Sequence, residues 1–255
     1  MTIIESVLSG VVQGLTEFLP VSSSGHLVLL HNFFGLSEPN IFFDICLHVG
    51  TLLAVILFFG KDIITLVKDK RVDWLFFIII GTVPAVLAAL FFENEIAHFF
   101  TDVKNVSFML VVTAMILFAG QFALKKVLRE GNEPLGALSS ILVGIAQAFA
   151  LIPGISRSGA TISMGLLRKM DPKDAFRFSF LLSIPAILGA TLYEGLKIDI
   201  TEAVFKNLPI YTAGMTAAFI VGFFSLFLLW KFLREKHLYF FGIYCLILGV
   251  TGIIF

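Results

Sequence analysis

Glu17-Phe18-Leu19-Pro20-Val21-Ser22-Ser23-Ser24-Gly25-His26 decides the fold, because it sets an acid, three hydroxyls and an imidazole in a chain that is 58% hydrophobic. It has a counterpart. An offset of 134 residues carries Gly10, Gln13, Ser22, Ser24 and Gly25 onto Gly144, Gln147, Ser156, Ser158 and Gly159 without a gap, and puts Arg157 where the first copy has Ser23. Polar groups are costly at membrane depth, so two matched polar breaks in apolar segments predict one binding site shared by two halves of the chain.

The rest of the composition agrees. With 29 Phe among 255 residues, 14% charged residues and a mean hydropathy of +0.98, the chain has too little polar surface for a soluble domain and is expected to be an integral membrane protein. A net charge of zero argues against a nucleic-acid partner held by electrostatics. Met1-Thr2-Ile3-Ile4-Glu5 has no basic stretch and no small-residue cleavage site follows, so a cleavable signal peptide is not expected. Cys46 and Cys245 lie in apolar runs without metal-ligand spacing and are expected to be buried thiols.

Six runs are long and apolar enough to cross a bilayer at about 20 residues each: 41–59, 74–92, 106–124, 176–194, 209–230 and 238–255. The regions 3–36 and 137–168 differ, each being split by Pro, Ser and Gly. Irregular backbone cannot face hydrocarbon, so both are read as re-entrant hairpins whose breaks line a cavity. Each half, about 1–130 and 131–255, is then one hairpin plus three spans. Three is odd, so the halves are inverted relative to each other and the hairpin tips can meet inside the membrane. The expected fold is a single all-α polytopic membrane domain with six transmembrane helices and two re-entrant hairpins in an inverted repeat.

Lysine and arginine orient this layout. Lys61, Lys68, Lys70, Arg71, Lys125, Lys126, Arg129, Arg168, Lys169, Lys173, Arg177, Lys231, Arg234 and Lys236 fall on one side, against Lys104, Lys197 and Lys206 on the other. The richer side is expected to be cytoplasmic, which places both termini and the first hairpin outside.

The breaks themselves suggest chemistry. Gln13 and Glu17 are four apart and share a helix face. A serine-rich turn that opens a helix supplies caps, free backbone N–H groups and a positive dipole end, which together make an anion site. The second break adds Arg157, whose planar fork suits phosphate oxygens. Glu17, with Gln13 beside it, offers oxygen ligands for Mg²⁺ or Ca²⁺. Ser23 or Ser22 could be an attacking hydroxyl activated by His26, or His26 could itself act as base, acid or nucleophile. Other polar groups have plainer readings: Ser9, Ser163, Ser179 and Gly165 serve helix packing. Asp44 and His48 pair with each other, or Asp44 orients Arg157.

Gln13 to His26, together with Pro153-Gly154-Ile155-Ser156-Arg157-Ser158-Gly159-Ala160-Thr161, resembles the signatures of the bacterial undecaprenyl-diphosphatase (bacitracin-resistance) family over essentially the full chain. That resemblance implies hydrolysis of undecaprenyl diphosphate to undecaprenyl phosphate and phosphate at the outer face of the plasma membrane, recycling the lipid carrier for peptidoglycan. It implies catalytic roles for Glu17, Ser23, His26 and Arg157. It implies substrate contacts at Ser22, Ser24, Gly25, Ser156, Ser158, Gly159 and Thr161, and a divalent cation at Glu17 and Gln13. The family's acidic motif accepts Glu or Gln at the first position, here Gln13, so the metal site has one carboxylate fewer than in Glu-bearing members. The expected partners are the diphosphate lipid and membrane lipids, with no nucleic acid; a homodimer stays open. Broken helices in inverted repeats also suit a polyprenyl-phosphate flippase, although transport alone does not call for Glu, Ser and His in close series. A phosphatase of the phosphatidic-acid type is set aside, because the chain has no Arg-Pro dipeptide and no His follows Ser156-Arg157.

Overall fold

Length and hydropathy divide the helices into distinct kinds. A computed structural model describes residues 1–33, 41–69, 72–99, 102–197 and 207–254, and among them lie twelve α-helices and no β-strand. Five are long and apolar enough to cross a membrane: α3 (Ile41–Phe58), α5 (Val72–Phe91), α7 (Val103–Glu130), α10 (Pro172–Gly195) and α11 (Leu208–Arg234). Four shorter ones flank the two breaks, namely α1 (Ile3–Phe18), α2 (Ser23–Phe33), α8 (Ala137–Phe149) and α9 (Arg157–Leu167). The connectors α4 (Gly60–Lys68) and α6 (Glu93–Phe99) and the apolar α12 (Tyr239–Ile254) complete the chain. This is an all-α, multi-pass membrane protein.

Some boundaries differ from expectation for a physical reason. The helices α7 and α11 run to Glu130 and Arg234, well past the apolar stretches, and carry Arg129, Lys231 and Arg234 in their last turns. Cations are favoured there by the helix dipole, so helix continues where hydropathy stops. The stretch between the apolar runs 41–59 and 74–92 holds α4, anchored by buried Leu66. The last run is a helix of 16 residues, short of the ~20 that a perpendicular crossing needs. Lys70, Arg71 and Lys206 lie outside the described residues. Cys245 is buried as expected, whereas Cys46 is only half-buried.

Packing pairs elements that correspond at the 134-residue offset. α1 lies on α11 and α8 lies on α5, and each contact is made by glycine. Gly10 abuts the Gly214 carbonyl and Gly144 abuts the Gly81 carbonyl, with no room for a Cβ at either. Small residues are what allow membrane helices to approach this closely. Likewise Ser163 fills the space beside Gly120, and Gly165 admits Ala175. α7 packs on α12, while α3 packs on α10 and α11.

An aromatic core fills the centre. The edge of the Phe18 ring meets Phe180 at 5.6 Å, Phe59 stacks on Phe180 at 5.8 Å, and Phe176 lies 5.3 Å from Trp230. A second sequence echo, Pro84-Ala85-Val86-Leu87 with Glu93 against Pro185-Ala186-Ile187-Leu188 with Glu194, has an offset of 101. Its two glutamates converge on Lys197, at 2.6 and 3.2 Å. Lys197 and the Tyr193 hydroxyl together hold the Glu93 carboxyl below its ordinary range.

Because a valine at Gly144 has to displace the backbone of α5, Gly144→Val is expected to destabilise the protein by about 1–3 kcal/mol. Gly189, in mid-helix with nothing near its Cβ direction, is the control. Gly189→Ala is expected to raise the melting temperature slightly, since alanine is the better helix former. Thermal melts in detergent check both.

Candidate active site

The two breaks meet. A Cβ on Gly25 would lie 3.5 Å from the Gly154 Cα, and side chains of the two halves also bond each other. Arg157 Nη2 donates to Glu17 Oε1 at 2.6 Å, with both side chains largely buried.

Each break is built by the same serine cap. Ser22 Oγ accepts from Gly25 N at 3.3 Å and lies 3.3 Å from Ser24 Oγ. Ser156 Oγ accepts from Gly159 N at 3.1 Å and lies 3.3 Å from Ser158 Oγ. The two differ in one respect that matters. α1 stays helical through Phe18, which keeps Glu17 one turn above Gln13. In the second half α8 ends at Phe149, so Leu151, the counterpart of Glu17, lies in the turn. Ser22 also adopts a left-handed backbone (φ 69°), a conformation that costs a non-glycine residue about 1–2 kcal/mol. Its carbonyl compensates by accepting from His26 N at 3.2 Å and His26 Nδ1 at 2.7 Å.

Glu17 is the hub. Its Oε1 takes Arg157, while its Oε2 accepts from Ser23 Oγ at 2.6 Å and from Gln13 Nε2 at 3.1 Å. Both charges stand at the unfavourable ends of their own helices. Glu17 lies in the last turn of α1, which has no basic residue, and Arg157 opens α9. A carboxylate opposes the dipole at a helix C-terminus, and a guanidinium adds to the positive end of another. The start of α9 is therefore a strong anion site, and Glu17 is its resident anion. The Arg157 guanidinium also lies 5.8 Å from the Phe180 ring centroid, while its Nη1 is buried without a hydrogen-bond partner.

The family model described as "Bacitracin resistance protein BacA" matches residues 6–251. A protein of Syntrophotalea carbinolica named "Undecaprenyl-diphosphatase" is 39% identical, over 98% of this chain and 97% of its own length. One of Halothermothrix orenii with the same name is 39% identical over 100% of this chain and 98% of its own length. The chain belongs to the BacA family.

The BacA fold gives each residue expected in the site a definite place. Glu17, Gln13, Ser23 and Arg157 form one connected network. His26 is not joined to Ser23: its Nδ1–H donates to the Ser22 carbonyl, and its Nε2 bonds the Tyr244 hydroxyl at 2.7 Å with the rings nearly parallel. Glu17, not His26, therefore holds the Ser23 hydroxyl. Ser22, Ser24, Gly25, Ser156, Ser158 and Gly159 shape the two turns. Thr161 Oγ1 donates to the Arg157 carbonyl at 2.8 Å and lies 2.6 Å from Ser179 Oγ, bracing the start of α9. Asp44 and His48 do not pair. His48 Nδ1 lies 3.1 Å from Gln13 Nε2 and 3.8 Å from Glu17 Oε2, and Asp44 Oδ1 has no hydrogen-bond partner.

Three supporting residues carry no local sequence signal. Thr113 of α7 donates to the Gly154 carbonyl at 2.8 Å and accepts from Ser156 N at 3.0 Å, pinning the second break. Tyr244 and Cys245 of α12 do the same for the first, Cys245 Sγ lying 3.7 Å from the Pro20 carbonyl. Their place in the 134-residue repeat, with α7 and α12 as equivalents, is the one signal that could have drawn attention to them.

Whether the site suits a cation can be judged from its donors. Among the described residues no group of three or more His, Cys, Asp or Glu is placed to hold a metal. Gln13, bonded to Glu17 through Nε2, nevertheless carries a buried Oε1 acceptor with no partner. One carboxylate and one amide oxygen fit an ion of the Mg²⁺ type, which takes most of its ligands from phosphate and water.

Proposed function

We infer that this chain is an undecaprenyl-diphosphate phosphatase, releasing inorganic phosphate and leaving undecaprenyl phosphate for reuse as the carrier of cell-wall precursors. The observation that carries the reading is Glu17, which holds a serine hydroxyl on one oxygen and an arginine fork on the other.

The mechanism follows from those contacts. The terminal phosphate enters the anion site at the start of α9 and takes Arg157 from Glu17, because a phosphate matches the guanidinium fork and the dipole as well as the carboxylate does. Glu17, freed on Oε1, still holds the Ser23 hydroxyl on Oε2. Ser23 Oγ attacks the terminal phosphorus, its proton passes to Glu17, and the bridging P–O bond breaks as undecaprenyl phosphate departs. His26, with Nδ1–H fixed on the Ser22 carbonyl, keeps Nε2 as an acceptor beside the site, bonded at rest by the Tyr244 hydroxyl, where it can orient the attacking water of the second step. Water then releases phosphate from Ser23. Glu17 and Gln13 Oε1 are the groups that would hold a Mg²⁺ or Ca²⁺ ion, whose charge would offset that of the diphosphate.

The finer architecture belongs to the same reading. α1–α2 and α8–α9 are re-entrant hairpins that enter from opposite faces, the two halves are inverted repeats, and α12 is the sixth crossing, tilted against α7. The matched glycine contacts of α1 with α11 and of α8 with α5 support the repeat. The bias in Lys and Arg supports a plasma-membrane protein whose termini and phosphate site face outward. The mouth of the site then opens where the spent carrier is released. No contact among the described residues favours a flippase.

Phosphate release from undecaprenyl diphosphate by purified protein tests the function. Activity is expected with Mg²⁺ or Ca²⁺ and is expected to vanish with chelator. Arg157→Lys keeps the charge and loses the fork, and is expected to lower kcat/KM by about 100-fold, the scale on which a transition-state oxyanion donor is worth. Folded wild-type protein that releases no phosphate with metal present would overturn the reading.

Orientation has its own test, in a chain whose Cys46 is replaced by serine. A cysteine at exposed Glu95 is expected to react with an impermeant thiol reagent on intact cells, and one at exposed Glu235 only after lysis. The reverse pattern sinks the outward placement.

A further inference from the structure

We propose that Thr113 of α7 is the positioning residue for Arg157, the group that aims its guanidinium at the terminal phosphate; the inference rests on the phosphatase reading above. The Thr113 hydroxyl takes two backbone groups just ahead of the arginine. It donates to the Gly154 carbonyl at 2.8 Å and accepts from Ser156 N at 3.0 Å. Ser156 caps α9, whose first residue is Arg157. Thr113 is buried, and a buried N–H and C=O at membrane depth need partners inside the protein. The hydroxyl therefore holds the backbone from which the guanidinium reaches Glu17 at rest and phosphate in the reaction.

Two observations set this hydroxyl apart. Thr16, Thr82 and Thr251 turn theirs onto the carbonyl four residues earlier in their own helix, the habit of threonine in mid-helix. Thr113 spends its hydroxyl on another segment. The repeat supplies the second observation. The 134-residue offset carries Pro20 onto Gly154, Ser22 onto Ser156 and Ile247 onto Thr113, so the first half has no hydroxyl at this place. There the Pro20 carbonyl, equivalent to that of Gly154, has the Cys245 Sγ at 3.7 Å, and a thiol is a weak donor. The two-bond clamp lies in the half that carries the arginine.

The seat on α7 explains why a clamp is needed. Val106, Met109 and Thr113 recur at helical spacing and share one face. Gly154 is left-handed, with φ 94°, and a Cβ there would collide with the Val106 carbonyl and come within 2.6 Å of the Met109 Cβ. Glycine thus sets the second break directly on α7, but this contact alone leaves the break free to turn. Two hydrogen bonds to one buried oxygen, a turn further along, stop that rotation. The direction matters because the guanidinium fork binds phosphate oxygens through paired, oriented bonds. Charge at the start of α9 attracts the phosphate whatever the orientation, whereas the transition state needs the fork correctly aimed.

A double-mutant cycle on phosphate release from undecaprenyl diphosphate tests the role. Thr113→Val keeps the shape and removes the hydroxyl. It is expected to lower kcat by about 30-fold, inside the roughly 100-fold that a misplacement of an ångström can cost. KM should stay within about threefold, because Arg157 and the start of α9 still attract phosphate. Thr113→Ser keeps the hydroxyl and is expected to retain kcat within about threefold, since both bonds can re-form. If Thr113 acts through the fork, Thr113→Val in an Arg157→Lys background should lower kcat by less than about twofold further, because coupled residues are not additive. Should Thr113→Val not fold, Thr113→Cys takes its place in the cycle. It copies the thiol clamp of the first break and is expected to lower kcat by about 10-fold. Wild-type kcat in the folded Val or Cys variant, an equal loss with and without Arg157, or a Ser variant as slow as Val overturns the proposal for Thr113 alone. Absence of phosphate release by wild type overturns the phosphatase reading instead.

Discussion

The Arg157–Glu17 ion pair is the interaction on which the rest of the structure depends. It joins two breaks separated by 140 residues, and it neutralises two charges that each oppose the dipole of their own helix. Neither residue is comfortable alone. A carboxylate in the last turn of α1 and a guanidinium at the first residue of α9 both need an outside partner, and in the resting protein each is the other's. A phosphate can supply what Arg157 requires, and once it does, Glu17 is left with a serine hydroxyl and an imidazole beside it. Binding and activation of the site are therefore one event.

The scaffold serves that pair. Glycines at 10 and 144 draw α1 and α8 against α11 and α5, and the two breaks meet at Gly25 and Gly154. Thr113 from α7 fixes the backbone of the second break, and Cys245 and Tyr244 from α12 close the first. The aromatic core supports both charged groups, with Phe180 touching Phe18, the neighbour of Glu17, and lying beside the Arg157 guanidinium. The chain uses its two copies unequally. The first keeps its helix intact through Glu17, and the second ends its helix early and contributes Arg157.

Much of this was legible in the sequence because it rests on local patterns. Hydropathy marks the long helices, and the Ser-x-Ser-Gly turns mark both breaks, since a serine cap is read from three or four neighbouring residues. Glu17, Ser23 and Arg157 stand out because ionisable groups in apolar segments are rare. Helix ends were less legible: α7 and α11 continue through their lysines and arginines, where hydropathy falls but helix propensity and dipole do not. His48 was misjudged for a related reason. Its spacing from Asp44 suggested a pair within one helix, but its position on α3 faces α1, and only tertiary packing shows that Gln13 and Glu17 are its neighbours. The partners of His26 lie equally beyond local reading, since Tyr244 is 218 residues away.

The central claim is that Glu17 and Arg157 sustain each other's buried charge at rest and separate only to act on phosphate. The melting temperatures of wild type, Glu17→Gln, Arg157→Gln and the double variant test it most directly. Removing one member of a buried pair leaves the other uncompensated, a loss of about 3–5 kcal/mol, whereas removing both does not. The account predicts two destabilised single variants and a double variant that melts close to wild type. Single variants as stable as wild type, or a double variant whose destabilisation is the sum of the two, would contradict it.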